Sequence, residues 1–377
     1  MYHSAIKHFL GLCLMLLCSI GSTVTLAASY QFTGPVAIGA NWVDISATGT
    51  NVTPALTDDS NSAAIPIGFT FNYGGLNYTQ VFISSNGMIF FGPAAPAPTG
   101  SWWTNSTVAT AQANYGILNV LMPFWDDLNP NGVAGRVKYQ TIGTQFIISY
   151  LAVPPFSGGG TATFQVILNQ NGTIRYNYQT TFSQGSTATV GYQISAADLV
   201  QVSIDTVNSI PNNTTILWTR IAPSLINLKS VTTISDPINN VTNPKNIPGA
   251  VVSYTININN TSQGVVDDAS SVITDPIPAN TEMFTGGLSA TPPFTFTDGS
   301  PVSGLACTFV SLASATDCIE FSNNGGATWV YTPSAASDYD PLVTNIRLRP
   351  TGVMNGDTTP VASPYPNYSV SFKVRIK

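Results

Sequence analysis

Large apolar side chains take every second position in one stretch of this chain after another. In Val252-Ser253-Tyr254-Thr255-Ile256-Asn257-Ile258-Asn259, Val, Tyr and Ile alternate with Ser, Thr and Asn. A period of two puts one face of a pleated strand into a core and leaves the other in water. Phe164, Val166 and Leu168 repeat the pattern, and after Asn171-Gly172 it resumes with Ile174, Tyr176 and Tyr178. Asn-Gly tolerates the positive φ angles of a tight turn, so the two runs are predicted to form a hairpin. Asn86-Gly87 and Asn323-Asn324-Gly325-Gly326 mark two further turns. No convincing helical periodicity is present after residue 28, and the chain reads as all-β.

The alternation breaks once in a way that suggests a domain boundary. Ile216-Leu217-Trp218-Thr219 reads as a closing strand, Ile221-Ala222-Pro223-Ser224 as a linker, and Ile226 to Thr233 as a fresh strand. Two tandem β-sandwich domains are expected, over residues 29–220 and 225–377. In the second, prolines at 237, 244, 248, 276 and 278 suit strand ends and loops. Tyr368 to Ile376 alternates as a terminal strand. The short run Pro93-Ala94-Ala95-Pro96-Ala97-Pro98 reads as an extended surface loop.

The amino terminus changes the chemistry that is available. Lys7, the apolar run from Phe9 to Ile20 and the small residues up to Ala27-Ala28 have the layout of a secretory signal peptide, with cleavage expected after Ala27 or Ala28. The apolar run is shorter than the roughly 20 residues that span a bilayer. Cys13 and Cys18 lie inside it without the small residue before them that lipid attachment needs. Both histidines, His3 and His8, belong to this leader. With Lys7 gone, the 12 basic residues become 11 against 18 acidic ones, a formal charge of −7. Such a weakly acidic surface argues against nucleic-acid or anionic-membrane partners, and no membrane span is expected after cleavage. Only 8% of residues are charged, against roughly 25% in ordinary domains, so solubility must come from Ser, Thr, Asn and Gln. Cys307 and Cys318 remain after export, and an oxidising compartment predicts a disulfide between them.

Read in order, Ile83-Ser84-Ser85-Asn86-Gly87-Met88-Ile89-Phe90-Phe91-Gly92, Met122-Pro123-Phe124-Trp125-Asp126-Asp127-Leu128 and Gly135-Arg136-Val137-Lys138-Tyr139 form a series that continues through Thr163–Leu168 and Asn171–Tyr176. This series resembles the nidogen-like extracellular domain and its bacterial relatives, in which an S-N-G turn precedes a P-F-W-D-D-like segment. Asn243 to Tyr254 and Ile273 to Thr281 resemble a bacterial surface-protein repeat domain of unknown function, similar to immunoglobulin-type sandwiches. The two resemblances imply an exported, surface-associated architecture, and neither brings a catalytic residue set.

Candidate chemistry is correspondingly thin. Ser-His-Asp and Cys-His hydrolases need an imidazole, as do most zinc hydrolases, and the processed chain has none. A glycosidase needs two carboxylates facing one cleft. Glu282 and Glu320 are the only glutamates, and adjacent Asp126 and Asp127 on an extended segment point to opposite faces. Asp127, Asn129 and Asn131 place oxygens on alternate positions before Gly132, the first half of a calcium loop, with Asp126 as a further ligand. The competing reading is an Asx-rich turn, because Lys138 stands where the closing glutamate belongs. Trp102 and Trp103, flanked by Ser, Thr and Asn, offer either an aromatic platform for a sugar or partner, or the cap of a sandwich core. Lys229 reads as a strand-edge lysine in preference to an isopeptide donor. The expected protein is a non-enzymatic structural or adhesion module at the cell surface, outside the cell or in the periplasm, contacting an extracellular protein or glycan without a required cofactor. The alternative is a carbohydrate-binding module using Trp102, Trp103 and calcium.

Overall fold

A computed structural model describes residues 29–96, 102–358 and 363–377. The expected leader, with His3, His8, Cys13 and Cys18, lies outside the described residues, as do Ala97 and Pro98 of the Pro/Ala run.

Residues 30–220 build two antiparallel sheets. One runs in the spatial order Tyr30–Ala37, Thr214–Arg220, Ile174–Thr180, Ala162–Asn169, Gln145–Val153, Val137–Ile142 and Thr50–Asn51. The other runs Leu199–Ile204, Thr189–Gln193, Val120–Trp125, Ile89–Phe90, Leu76–Ile83 and Ile65–Tyr73. The predicted hairpin forms in the expected register, with Leu168 opposite Ile174 and Val166 opposite Tyr176, and Gly172 turns at φ 88°. Alternate side chains from both sheets meet in one core that includes Ile148, Phe164, Tyr176, Ile83, Phe124 and Tyr192.

A core with so few charges still contains polar ties. The Tyr150 hydroxyl donates to the Ser84 carbonyl at 2.6 Å, Tyr176 to Gly191 at 3.0 Å and Tyr178 to Pro123 at 2.6 Å. Each bond runs from the first sheet to the second, so each buried phenol satisfies its hydroxyl on the opposing backbone. Burial raises all three phenol pKa values well above the ordinary one.

Among the described residues, two elements depart from the strand-only expectation, the first a single 3₁₀ turn at Gly39–Asn41. The second, Val108–Tyr115, is an α-helix, opened by Thr107, whose Oγ1 accepts from the Thr110 amide at 3.3 Å, and closed by Gly116 at φ 68°. Only Val108 and Ala111 of this helix are buried, too few apolar positions to generate a readable 3.6-residue period.

Residues 225–376 build a second pair of sheets. The larger runs Leu225–Ser235, Val251–Asn260, Asn367–Ile376, Thr281–Phe284 and Tyr339–Asp340, with Phe294–Asp298 also pairing to the Asn367–Ile376 strand. The smaller runs Ile273–Pro276, Asn345–Leu348 and Ile319–Ser322. Val252, Ile256 and Ile258 are buried as the alternation requires, and they join Ile346, Leu348 and Phe372 in a core separate from the first. Cys307 and Cys318 are disulfide-bonded. The two sheet pairs meet directly, through an ion pair between Arg220 and Asp267 at 2.5 Å and a hydrogen bond from the Asp268 amide to the Gly75 carbonyl at 3.0 Å.

Candidate functional site

The motif residues converge on a loop junction at one edge of the first core. Asn86 is fully buried. Its Oδ1 accepts from the Leu128 amide at 3.1 Å, and its Nδ2 donates to the Asp59 carboxylate at 2.8 Å. One side chain thereby ties the turn after Leu76–Ile83 to the segment after Val120–Trp125 and to the loop at residues 57–61. Gly87 follows at φ 72°, where a Cβ would stand 2.0 Å from the Phe124 carbonyl oxygen, so glycine is required by both backbone conformation and space. Ser60 and Ser85 reinforce the loop contact, with the Ser85 amide donating to the Ser60 carbonyl and the Ser60 amide to Ser85 Oγ. A fourth loop closes the junction, because the Phe156 amide donates to the Asp127 carbonyl at 2.7 Å. The Phe156 side chain is 59% exposed beside it.

This arrangement gathers Asp58, Asp59 and Asp127, whose carboxylate oxygens lie within 4.8 Å of one another. Among the described residues, no lysine or arginine forms an ion pair with the three. The Asp127 carboxyl is pushed up to about 6, first by loss of water and then by the charges of Asp58 and Asp59. Asp58 is raised by the same two causes, desolvation and the neighbouring Asp59. Like charges this close favour taking up a proton, and their oxygens are the donor type that hard cations prefer. The sequence reading did not bring Asp58 and Asp59 together with Asp127, nor Asn86 to the Asp59 carboxylate. The signal was Asp58-Asp59 and Asp126-Asp127, two of three Asp-Asp pairs in a chain with few charges, but their convergence depends on strand pairing across the sheet.

Of the four expected metal ligands, Asp127 belongs to the three-carboxylate cluster. The Asp126 carboxylate accepts from the Asp127 amide through Oδ1 at 2.9 Å and from Thr187 Oγ1 through Oδ2 at 2.6 Å. Burial is the main reason that its carboxyl, too, is pushed up to about 6. Asn129 Oδ1 accepts from the Asn131 amide at 2.7 Å, and Asn131 sits at φ 57°. These two residues therefore form the Asx-turn of the competing reading, because a backbone amide two residues on is the nearest donor to the side-chain oxygen.

The two tryptophans of the expected platform differ in burial. Trp102 is 1% exposed, stacked on Phe90 at 5.9 Å between ring centroids, and its carbonyl accepts from the Trp125 indole at 2.9 Å. It caps a small core beside the helix, because a large ring gains more from burial there than from exposure. Trp103 remains 37% exposed. In the second sheet pair, Lys229 lies on an edge strand and pairs with buried Asp275 at 2.6 Å, over the face of Tyr254. Glu282 and Glu320 are held by Arg375 and Arg347.

Residues 29–233 match the family described as NIDO related, which takes in the whole first sheet pair and runs on into the Leu225–Ser235 strand. No curated protein and no solved structure matches the chain. Among the described residues, no helix is long and apolar enough to cross a membrane.

Proposed function

From a chain that belongs to the NIDO-related family over residues 29–233, we propose an exported, non-enzymatic structural or adhesion module whose loops contact an extracellular protein or glycan. The family match carries this reading. The disulfide between Cys307 and Cys318 supports it, since such bonds persist in oxidising compartments. The absence of histidine after His8 supports it as well, because it removes the usual proton carrier of hydrolases. The second sheet pair acts in this reading as a surface-protein repeat-type sandwich that spaces the first from its support. The competing carbohydrate-binding reading lost half of its aromatic platform with the burial of Trp102.

The test is to present the purified chain, lacking residues 1–28, to arrays of extracellular proteins and glycans and to peptide and glycan libraries. Saturable binding with no product formation is expected. Catalytic turnover of any library member would overturn the proposal, as would the recovery of the native protein from cytoplasm alone.

A further inference from the structure

Asp198 is a carboxylate only 6% exposed, and among the described residues no lysine or arginine forms an ion pair with it. Its oxygens accept instead from the Ser29 amide nitrogen at 3.0 Å, from Ser29 Oγ and from the Tyr192 hydroxyl at 3.0 Å. The Tyr30 amide donates to that same Tyr192 oxygen at 3.1 Å. The Ser29 carbonyl accepts from the Ile221 amide at 2.8 Å, so the residue is pinned at its nitrogen, its hydroxyl and its carbonyl. A buried carboxylate without a counter-charge is costly, and burial raises the Asp198 pKa. Ser29 is also the residue that follows the small-residue end of the leader.

We propose that export processing cuts between Ala28 and Ser29, and that the α-ammonium released there forms a buried ion pair with Asp198. This inference rests on the exported reading above. In the cut, water adds its oxygen to the Ala28 carbonyl carbon, the C–N bond breaks, and the Ser29 nitrogen leaves as an amine that takes up a proton. The protease is a signal peptidase of the exporting cell. The leader's composition allows cuts after Ala27 or after Ala28, and the second places the charge on an atom already within hydrogen-bonding distance of the carboxylate. A cut after Ala27 leaves the Ser29 nitrogen an uncharged amide and moves the charge one residue away, about 3.8 Å in Cα spacing. The pair would fasten the first strand, Tyr30–Ala37, to the residue just before the Leu199–Ile204 strand of the other sheet. Processing therefore completes the fold as well as releasing the chain.

Two measurements test the proposal. Terminal sequencing and intact mass of the exported protein are expected to give Ser29 as the first residue. An exported chain starting at Ala28 overturns this inference alone, whereas a chain retaining Met1 overturns the exported reading. The second measurement takes the chain from Ser29 to Lys377 with a free or an acetylated α-amine, in the natural sequence and with Asp198→Asn. Acetylation keeps the hydrogen bond to Asp198 and removes only the charge, and it is expected to lower the folding equilibrium constant of the natural sequence roughly 10- to 100-fold, the scale on which an adjacent opposite charge shifts a carboxyl's proton equilibrium, and to have little effect on the Asp198→Asn variant. Equal losses in the two backgrounds, or no loss in either, overturn the pair. Should Asp198→Asn not fold, acylation of the α-amine serves without any variant. It is expected to be at least about tenfold slower in the native chain than in urea, as an amine held in a charge-assisted bond requires, and equal rates overturn the proposal.

Discussion

At the residue scale, the loop junction shows what a buried amide and a cluster of acids do to each other. Asn86 presents a donor and an acceptor on opposite sides of one planar group, which lets it satisfy Asp59 and the Leu128 amide together. Asp127 has no comparable relief, and its carboxyl titrates at about 6 where an unfolded chain's aspartates titrate near 3.9. The folded protein therefore binds that proton more tightly than the unfolded chain does. The stability contributed by this group is fully present below the unfolded value and is lost as pH rises through about 6. Asp127→Asn is expected to raise the urea midpoint at pH 7 and to flatten the decline between about pH 4 and pH 6, as read from unfolding curves across that range. Asp126, also at about 6, keeps a residual slope in the variant. An unchanged pH profile would contradict the assigned repulsion. The same scale explains why the sequence around Trp102 suggests a platform, since its polar neighbours are equally compatible with a ring stacked on Phe90.

At the element scale, strands and turns were legible because their determinants are local. Alternation specified the Val251–Asn260, Ala162–Asn169 and Ile174–Thr180 strands, and Asn-Gly pairs specified the turns at 86–87 and 171–172. The Val108–Tyr115 helix was not legible, because two buried side chains carry no period and the evidence sits in its ends, Thr107 and Gly116. Two glycines separate the parts that sequence and packing play in turns. Gly325 at φ 73° has nothing within 4 Å of an added Cβ, whereas Gly87 at φ 72° would drive one into the Phe124 carbonyl. Gly325→Ala is expected to cost about 1 kcal/mol, the left-handed penalty alone. Gly87→Ala is expected to cost at least about 3 kcal/mol, because strained backbone is joined by a clash with backbone that cannot move aside. Equal shifts in the urea midpoints of the two variants would refute the distinction.

At the scale of the whole molecule, two separate cores are joined by contacts that include Arg220 with Asp267, the Gly75 carbonyl with the Asp268 amide, and Gly75 against the Val353 and Val265 side chains. The disulfide belongs wholly to the second core, closing a loop between residues 307 and 318. Its reduction is expected to destabilise that core by about 3 kcal/mol in the chain-entropy view and to leave the first core unchanged. In urea, one of two unfolding transitions should move when Cys307→Ser and Cys318→Ser are combined, with the tryptophan emission of Trp125 and Trp218 reporting the one that stays. A loss shared by both transitions would mean that the two cores unfold as one. The amino-acid order by itself determined the all-β class, the main hairpins, the cysteine pair and the lack of histidine beyond His8, because periodicity, turn chemistry and composition act over a few residues or over none. Tertiary structure alone decided that Asp58 and Asp59 stand beside Asp127, that Trp102 is interior, and that Asp198 waits at the nitrogen of Ser29. Those meetings join positions tens to well over a hundred residues apart, and only the order in which strands pair across a sheet brings such positions together.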